Sequence, residues 1–222
     1  LPVTWYRKRP GPIPEQGADP VNEALVAEMK SFMAQDTFSL GIAWDADCDR
    51  CVCFDPNGEL IPTYYVIGIL IDRFLTKRPS SPVVFDTKLY WNTLDMIQKH
   101  GGVPIKAATG HAFMKQKMQE HKAVYGGELS SHHYFGDFFG CDSGMFAWLT
   151  IASILNDPST DLFDIVAQRK QAVCCTPEIS VALTDVDQAF KEIERSYGKL
   201  SQEVDHFDGL SFFDGWRLAI FP

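Results

Sequence analysis

Between residues 64 and 156 the sequence alternates helix-periodic apolar stretches with short β-branched runs, and this alternation constrains the fold more than any other feature. "YYVIGILIDRFL" (64–75) has the length of a helix, and "PVVFD" (82–86) that of a strand. "NTLDMIQKH" (92–100) reads as a helix stopped by Gly101-Gly102, and "VPIKAA" (103–108) as a strand. "HAFMKQKMQE" (111–120) follows as a helix, then "KAVYGGE" (122–128) as a strand running into a loop. Asp142-Ser143 is placed to cap a long apolar helix ending near Asn156. Strand and helix in turn, joined by short connections, predict α/β units around a mostly parallel sheet.

The flanks read differently. Residues 1–18 are rich in Pro and Gly and form an extended lead-in. Asp19-Pro20 has the form of an N-cap with Pro at the first helical position, and Val21, Leu25, Met29, Phe32 and Met33 recur at helical spacing to about Ala34. "FSLGIAW" (38–44) and "CVCF" (51–54) are predicted strands, and Asp55-Pro56-Asn57-Gly58 is a turn signal leading into a hairpin-like connection. After Thr176-Pro177 the texture changes to "EISVAL", then "DVDQAFKEIERSYG", then a hairpin-like tail ending on "GWRLAIFP", which reads as the start of another α+β module.

A net charge of -9 lacks the basic footprint of a nucleic-acid or anionic-membrane surface, so neither partner is expected. No apolar run reaches membrane-spanning length, because Asp72 and Arg73 break the longest, and the opening residues lack the hydrophobic core of a signal peptide. A cytoplasmic setting is the expectation. Residue 1 is Leu rather than Met, as in a fragment or a processed product. The six cysteines cluster at 48, 51 and 53, at 141, and at 174 and 175, which is not the spread of a disulfide framework.

Chemistry concentrates first in "GIAWDADCDRCVCF" (41–54). Asp45, Asp47 and Asp49 offer the charged oxygen donors that a hard divalent ion takes, if the turn converges them; otherwise they form a solvated acidic turn. An EF-hand is excluded, because its sixth position is Arg50 rather than Gly and its twelfth is Pro56 rather than Glu. Cys48-x-x-Cys51 lacks the second pair of a structural zinc site, and Cys51 and Cys53 alternate as strand residues rather than opening a helix as a redox pair does.

Three further stretches follow the acidic loop in order: "FDTK" (85–88), "TGHAFMK" (109–115) and "YGGELSSHHYF" (125–135). Together the four motifs resemble the α-D-phosphohexomutase superfamily, in particular its bacterial phosphomannomutase/phosphoglucomutase group, from about Asp36 onward. The resemblance implies an α/β fold of mixed-sheet domains with flanking helices, followed by an incomplete α+β domain. It implies that residues 1–60 end a second family domain, that 61–172 form the third, and that 173–222 begin the fourth. Asp45, Asp47 and Asp49 match the carboxylates that hold Mg2+ in the family's DGDGDR loop, and Arg50 matches its arginine. Both glycines of that loop are replaced, by Ala46 and Cys48. Glu128, Ser130 and His132 match the family's GEMSGH sugar loop, with Ser131 in place of its glycine; Leu129 stands closer to that methionine than to the glutamine of the phosphoglucosamine branch. Lys88 matches the lysine of D-x-K and His111 the histidine of TGH.

The implied activity is interconversion of hexose 1-phosphate and hexose 6-phosphate, of mannose or glucose, through a phosphoserine and Mg2+. Arg50, Lys88, His111 and His132 are then the catalytic candidates, and Glu128, Ser130, His132, Lys88 and His111 the substrate-binding ones. Taken singly, each has a plain reading: Lys88 a surface cation, His111 a helix-start residue, His132-His133 a polar loop. The family's phosphoserine loop, T-A-S-H-N-P, has no counterpart in the sequence, nor does its phosphate loop, R-x-S-N-T-x-P. Two expectations therefore stand: a piece of a phosphohexomutase that is inactive by itself, or a truncated non-catalytic product that folds and at most binds a cation or a sugar phosphate.

Overall fold

One helix organises the core. In the computed structural model, which describes residues 2–7, 11–13, 15 and 17–221, helix α2 (Thr63–Lys77) buries Tyr64 through Ile71 in an unbroken run, and Leu75 beyond it. A helix apolar all round must be covered on several sides. Strands β4 (Pro82–Asp86), β6 (Tyr125–Gly127) and β7 (His133–Phe135) lie beneath it, and helices α3 (Trp91–Lys99), α5 (Gly144–Leu155) and α6 (Leu162–Ala172) pack around it. Leu70, Ile71 and Leu75 are wholly buried, each contributing about 1.5–3 kcal/mol of transfer free energy.

The central sheet has the order β5-β4-β6-β7-β8, with β5 at Val103–Ala107 and β8 at Cys141–Asp142. β4 pairs parallel with β5 and β6, as the alternation predicts. β7 and β8 then add antiparallel, so the sheet is mixed rather than mostly parallel. Strands of three and two residues are too short to show a period, which is why the pattern does not reveal them. The sheet's two faces follow from strand alternation: Val83 and Phe85 face α2, while Val84 faces helix α4 (His111–His121) through Met114 and Met118.

Ahead of this unit, β1 (Gly41–Trp44), β2 (Cys51–Phe54) and β3 (Leu60–Ile61) form an antiparallel meander. Helix α1 (Glu23–Met33) covers Val52 and Phe54, while Cys51 and Cys53 point into the large core. α1 begins later than Asp19-Pro20 predicts. Asn22 is the N-cap, its side chain accepting from Ala24 N, while Asp19 caps the preceding turn through Val21 N. α5 is capped by Ser143, which leaves Asp142 free for other partners.

After α6, residues 174–184 have no regular structure, and Ile179, Val181 and Leu183 are exposed. Helix α7 (Val186–Tyr197) and an antiparallel sheet of order β11-β10-β9 complete the described chain, with β9 at Glu203–Asp205, β10 at Leu210–Phe213 and β11 at Arg217–Ile220. Among the described residues, no helix is long and apolar enough to cross a membrane.

Candidate active site

The acidic loop is the turn between β1 and β2, held shut from within. Arg50 donates from its backbone N to Asp45 Oδ1 (3.1 Å) and from Nε to Asp45 Oδ2 (2.6 Å). Burial opposes the charge on Asp45, but these donors outweigh it and keep its carboxyl below the ordinary range. Asp49 moves the other way: burial and the neighbouring Asp45 and Asp47 charges push it up. One carboxylate oxygen from each of the three lies within 4.8 Å of the others, and Asp49 Oδ1 is buried without a hydrogen-bond partner. Like charges gathered this closely suit a hard divalent cation, and the oxygens that Arg50 engages keep a second lone pair for it.

The chain turns here through Cys48, whose φ is +63°, the region that glycine occupies freely. Its thiol is pushed up by burial and by the three carboxylates, so it stays protonated and a poor nucleophile. Cys48 and Cys51 are both free thiols.

The loop after β6 folds onto this turn. His132 forms an isolated antiparallel bridge with Arg50, and Cys51 N donates to Ser131 O (3.2 Å). His132 Nε2 thereby stands 3.4 Å from Asp49 Oδ1. His132 Nδ1 lies 2.8 Å from Ser130 Oγ, and burial, with His111 nearby, lowers the ring's basicity. His111, the first residue of α4, brings its Nε2 to 3.2 Å from His132 Nε2. Ser131 also has a positive φ, +74°, and its hydroxyl meets Thr63 Oγ1 at 2.6 Å.

Glu128 is buried between the same two elements. Its Oε1 accepts from Gly110 N (2.8 Å) and its Oε2 from the Tyr134 hydroxyl, so it ties the start of α4 to the loop. Lys88 is not drawn into this cluster. Its ammonium pairs with Glu178 (2.6 Å) and lies 5.1 Å from the centre of the Phe221 ring. Its turn is nonetheless joined to the 128–132 loop by Asp86, which accepts from Lys88 N and Leu89 N on one oxygen and from Leu129 N on the other. Burial pushes Asp86 up to about 7 against these donors.

The structure thus gathers Asp45, Asp47, Asp49 and Arg50 beside His111, Glu128, Ser130 and His132, and leaves Lys88 apart. It adds residues that sequence reasoning passed over. Asp142 lies 3.1 Å from His111 Nδ1 and 2.9 Å from Lys115 Nζ, and Asp86 and Tyr134 anchor the loops. In the sequence Asp142 reads as part of a helix cap, and Asp86 as the end of a strand within the FDTK motif. Only the pairing of β7 with β8 brings Asp142 to α4.

Residues 62–172, half of the chain, match the family model described as phosphoglucomutase/phosphomannomutase, alpha/beta/alpha domain III. A phosphomannomutase of Vibrio cholerae is 36% identical over 98% of the chain, which covers 48% of that relative. A protein of Xanthomonas campestris named for phosphohexose mutases is 40% identical over 95% of the chain and 46% of its own length. The chain therefore spans about half the length of these curated relatives. In fold, the chain is similar to a phosphoglucomutase/phosphomannomutase family protein of Burkholderia thailandensis. The TM-score is 0.70 at 23% identity, over 90% of this chain and 43% of that one.

Proposed function

We propose, for a chain that belongs to the phosphoglucomutase/phosphomannomutase family, that it supplies the metal-binding and sugar-binding part of a cytoplasmic phosphohexomutase acting on mannose or glucose phosphate. One observation carries this reading: the acidic loop and the two histidines, far apart in sequence, meet at His132 and Asp49. Asp45, Asp47 and Asp49 would hold Mg2+, and the orphaned Asp49 Oδ1 is the atom that most needs such a partner. When bound, the ion supplies the positive charge that a phosphoryl group in transit requires.

The chain's own residues do the rest. Arg50, held by Asp45 through Nε and paired through Nη1 with Asp19 (3.3 Å), fixes the loop and keeps positive charge beside it. Ser130 is exposed and offers a hydroxyl to the sugar ring, while Glu128 holds His111 and the loop at a set distance. His132, of lowered basicity, and His111 are the groups that accept or return a proton at a sugar hydroxyl. Lys88 joins them only after exchanging Glu178 for the ligand. The phosphoserine carrier belongs to a motif with no counterpart in these residues, so the chain alone binds ligand without turning it over.

The test is calorimetry with glucose 1-phosphate and mannose 1-phosphate, with and without Mg2+, beside a coupled mutase assay containing a hexose 1,6-bisphosphate. Binding that needs Mg2+ and is lost in Asp47→Ala and Ser130→Ala supports the reading. Binding indifferent to both variants overturns it, and turnover above the Asp47→Ala control overturns the assignment of the carrier to another segment.

A further inference from the structure

We propose that His111, His132 and Asp49 form a second metal site, one that takes a four-coordinate first-row transition ion, Zn2+ in particular. It shares Asp49 with the acidic loop but differs from that loop in donor chemistry. One ligand atom from each of Asp49, His111, His132 and Asp142 lies within 4.8 Å of the others. The inference rests on this geometry and does not depend on the sugar-phosphate reading.

Three electron-pair donors converge with little to separate them. The Nε2 atoms of His111 and His132 stand 3.2 Å apart, and Asp49 Oδ1 is 3.4 Å from His132 Nε2. Two ligands on one tetrahedral Zn2+, each at about 2.0–2.1 Å, are about 3.3–3.4 Å apart, so both distances are close to edges of such a polyhedron. The outer edges of the rings are occupied. His132 Nδ1 lies against Ser130 Oγ at 2.8 Å, and His111 Nδ1 faces Asp142 at 3.1 Å. With the ring protons on Nδ1, Ser130 Oγ can accept from His132 and Asp142 faces the N–H of His111, and both Nε2 lone pairs turn inward, the usual arrangement around a histidine-ligated metal. A single N–H···N bond between the rings would quiet two of the donors but leave Asp49 Oδ1, which is buried and unpartnered, unanswered.

The donor set selects the ion. Two imidazoles and a carboxylate favour Zn2+ and its neighbours, whereas Mg2+ prefers oxygen alone and suits Asp45 and Asp47. Lys115 does not repel the ion from close range: it sits on the Nδ1 edge of His111 and is paired with Asp142 at 2.9 Å. The fourth vertex falls to a solvent or ligand oxygen, Asp142 standing on the Nδ1 edge of His111, and occupancy takes Asp49 away from the hard-cation cluster.

The experiment titrates the 222-residue chain with Co2+ and then displaces it with Zn2+, following visible absorption and calorimetry. The expected result is the strong band pattern of four-coordinate Co2+, bleached by Zn2+. His111→Ala should weaken Zn2+ binding at least about tenfold, and Ser130→Ala, which removes the partner of His132 Nδ1 without removing a metal ligand, by about tenfold. Asp47→Ala, which touches only the acidic loop, should leave Zn2+ affinity unchanged. The His111 side chain is 44% exposed, so its variant is expected to fold, with circular dichroism as the check and Ser130→Ala as the deciding arm otherwise. The proposal is overturned if both variants bind as tightly as the parent. It is equally overturned if binding disappears in a Cys174→Ser/Cys175→Ser variant, which would place the ion on the exposed adjacent thiols.

Discussion

Cys48 and Ser131 share a backbone region that costs an L-residue about 1–2 kcal/mol, yet they occupy it on different terms. Cys48 is exposed, and its thiol makes only a long 3.8 Å contact to Asp45 O. Cys48→Gly should therefore stabilise the chain by about 0.5–1 kcal/mol after the entropy cost of glycine, read as a shifted urea midpoint. Ser131 is buried and bonded to Thr63, so Ser131→Gly should bring no such gain; equal gains at both sites would contradict this account. His133 is a second residue whose environment makes a measurable statement. It is fully buried against the Tyr125 hydroxyl (2.7 Å), and burial lowers it from 6.5 to about 4. The unfolded chain then takes up a proton below pH 6.5 that the folded chain refuses until about pH 4, so stability is complete above 6.5 and falls with pH across that window. The loss attributable to this ring amounts to about 3 kcal/mol. Urea melts at pH 7, 5.5 and 4.5 should show a shallower acid decline in His133→Gln, and parallel declines would show that the ring is not held neutral.

At the level of elements, the site is built where ends meet. The turn after β4, the start of α4 and the loop after β6 all open at one end of the central sheet, where open α/β sheets hold their ligands. Asp86 joins the first and third of these, and Glu128 the second and third, each a buried carboxylate hydrogen-bonded to backbone N–H groups. Asp86→Ala should cost about 3 kcal/mol, because it strands buried donors rather than trimming an exposed contact. It should also speed hydrogen exchange at Leu129 well beyond the global destabilisation; an unchanged Leu129 amide would mean that the two turns are held independently. The elements themselves were readable where they are long. α2, α3, α4 and α5, and strands β4 and β5, stand close to where the periodicity predicts them. The start of α1 was misplaced because Asp19 and Asn22 both offer capping oxygens, and only packing decides which turn becomes helical.

Across the whole molecule, the C-terminal sheet docks on the central one through a few polar groups. Arg217 donates to the carbonyls of Thr87 and Lys88 and to Ser211 Oγ, and lies 5.0 Å from the centre of the Tyr90 ring. Asp208 accepts from Thr87 Oγ1 (2.9 Å) and Thr109 N (2.8 Å), while Lys106 pairs with Asp205. Arg217→Ala should weaken this docking by about 2–4 kcal/mol and open residues 174–184 to protease before the central unit melts. A single cooperative transition with unchanged cleavage would show that the apolar contacts suffice. What the sequence alone determined was local: the α/β alternation, most elements, the acidic loop with Asp45, Asp47 and Asp49, and the motifs bearing His111, Glu128, Ser130 and His132. These are legible because period, turn chemistry and donor type act over a few residues. Only the tertiary structure decided the antiparallel half of the sheet, the pairing of Lys88 with Glu178, the anchoring by Asp86, the addition of Asp142, and the 3.2 Å approach of two histidines. Each of these joins residues distant along the chain, or on strands too short for a period, and is set by which surfaces bury together.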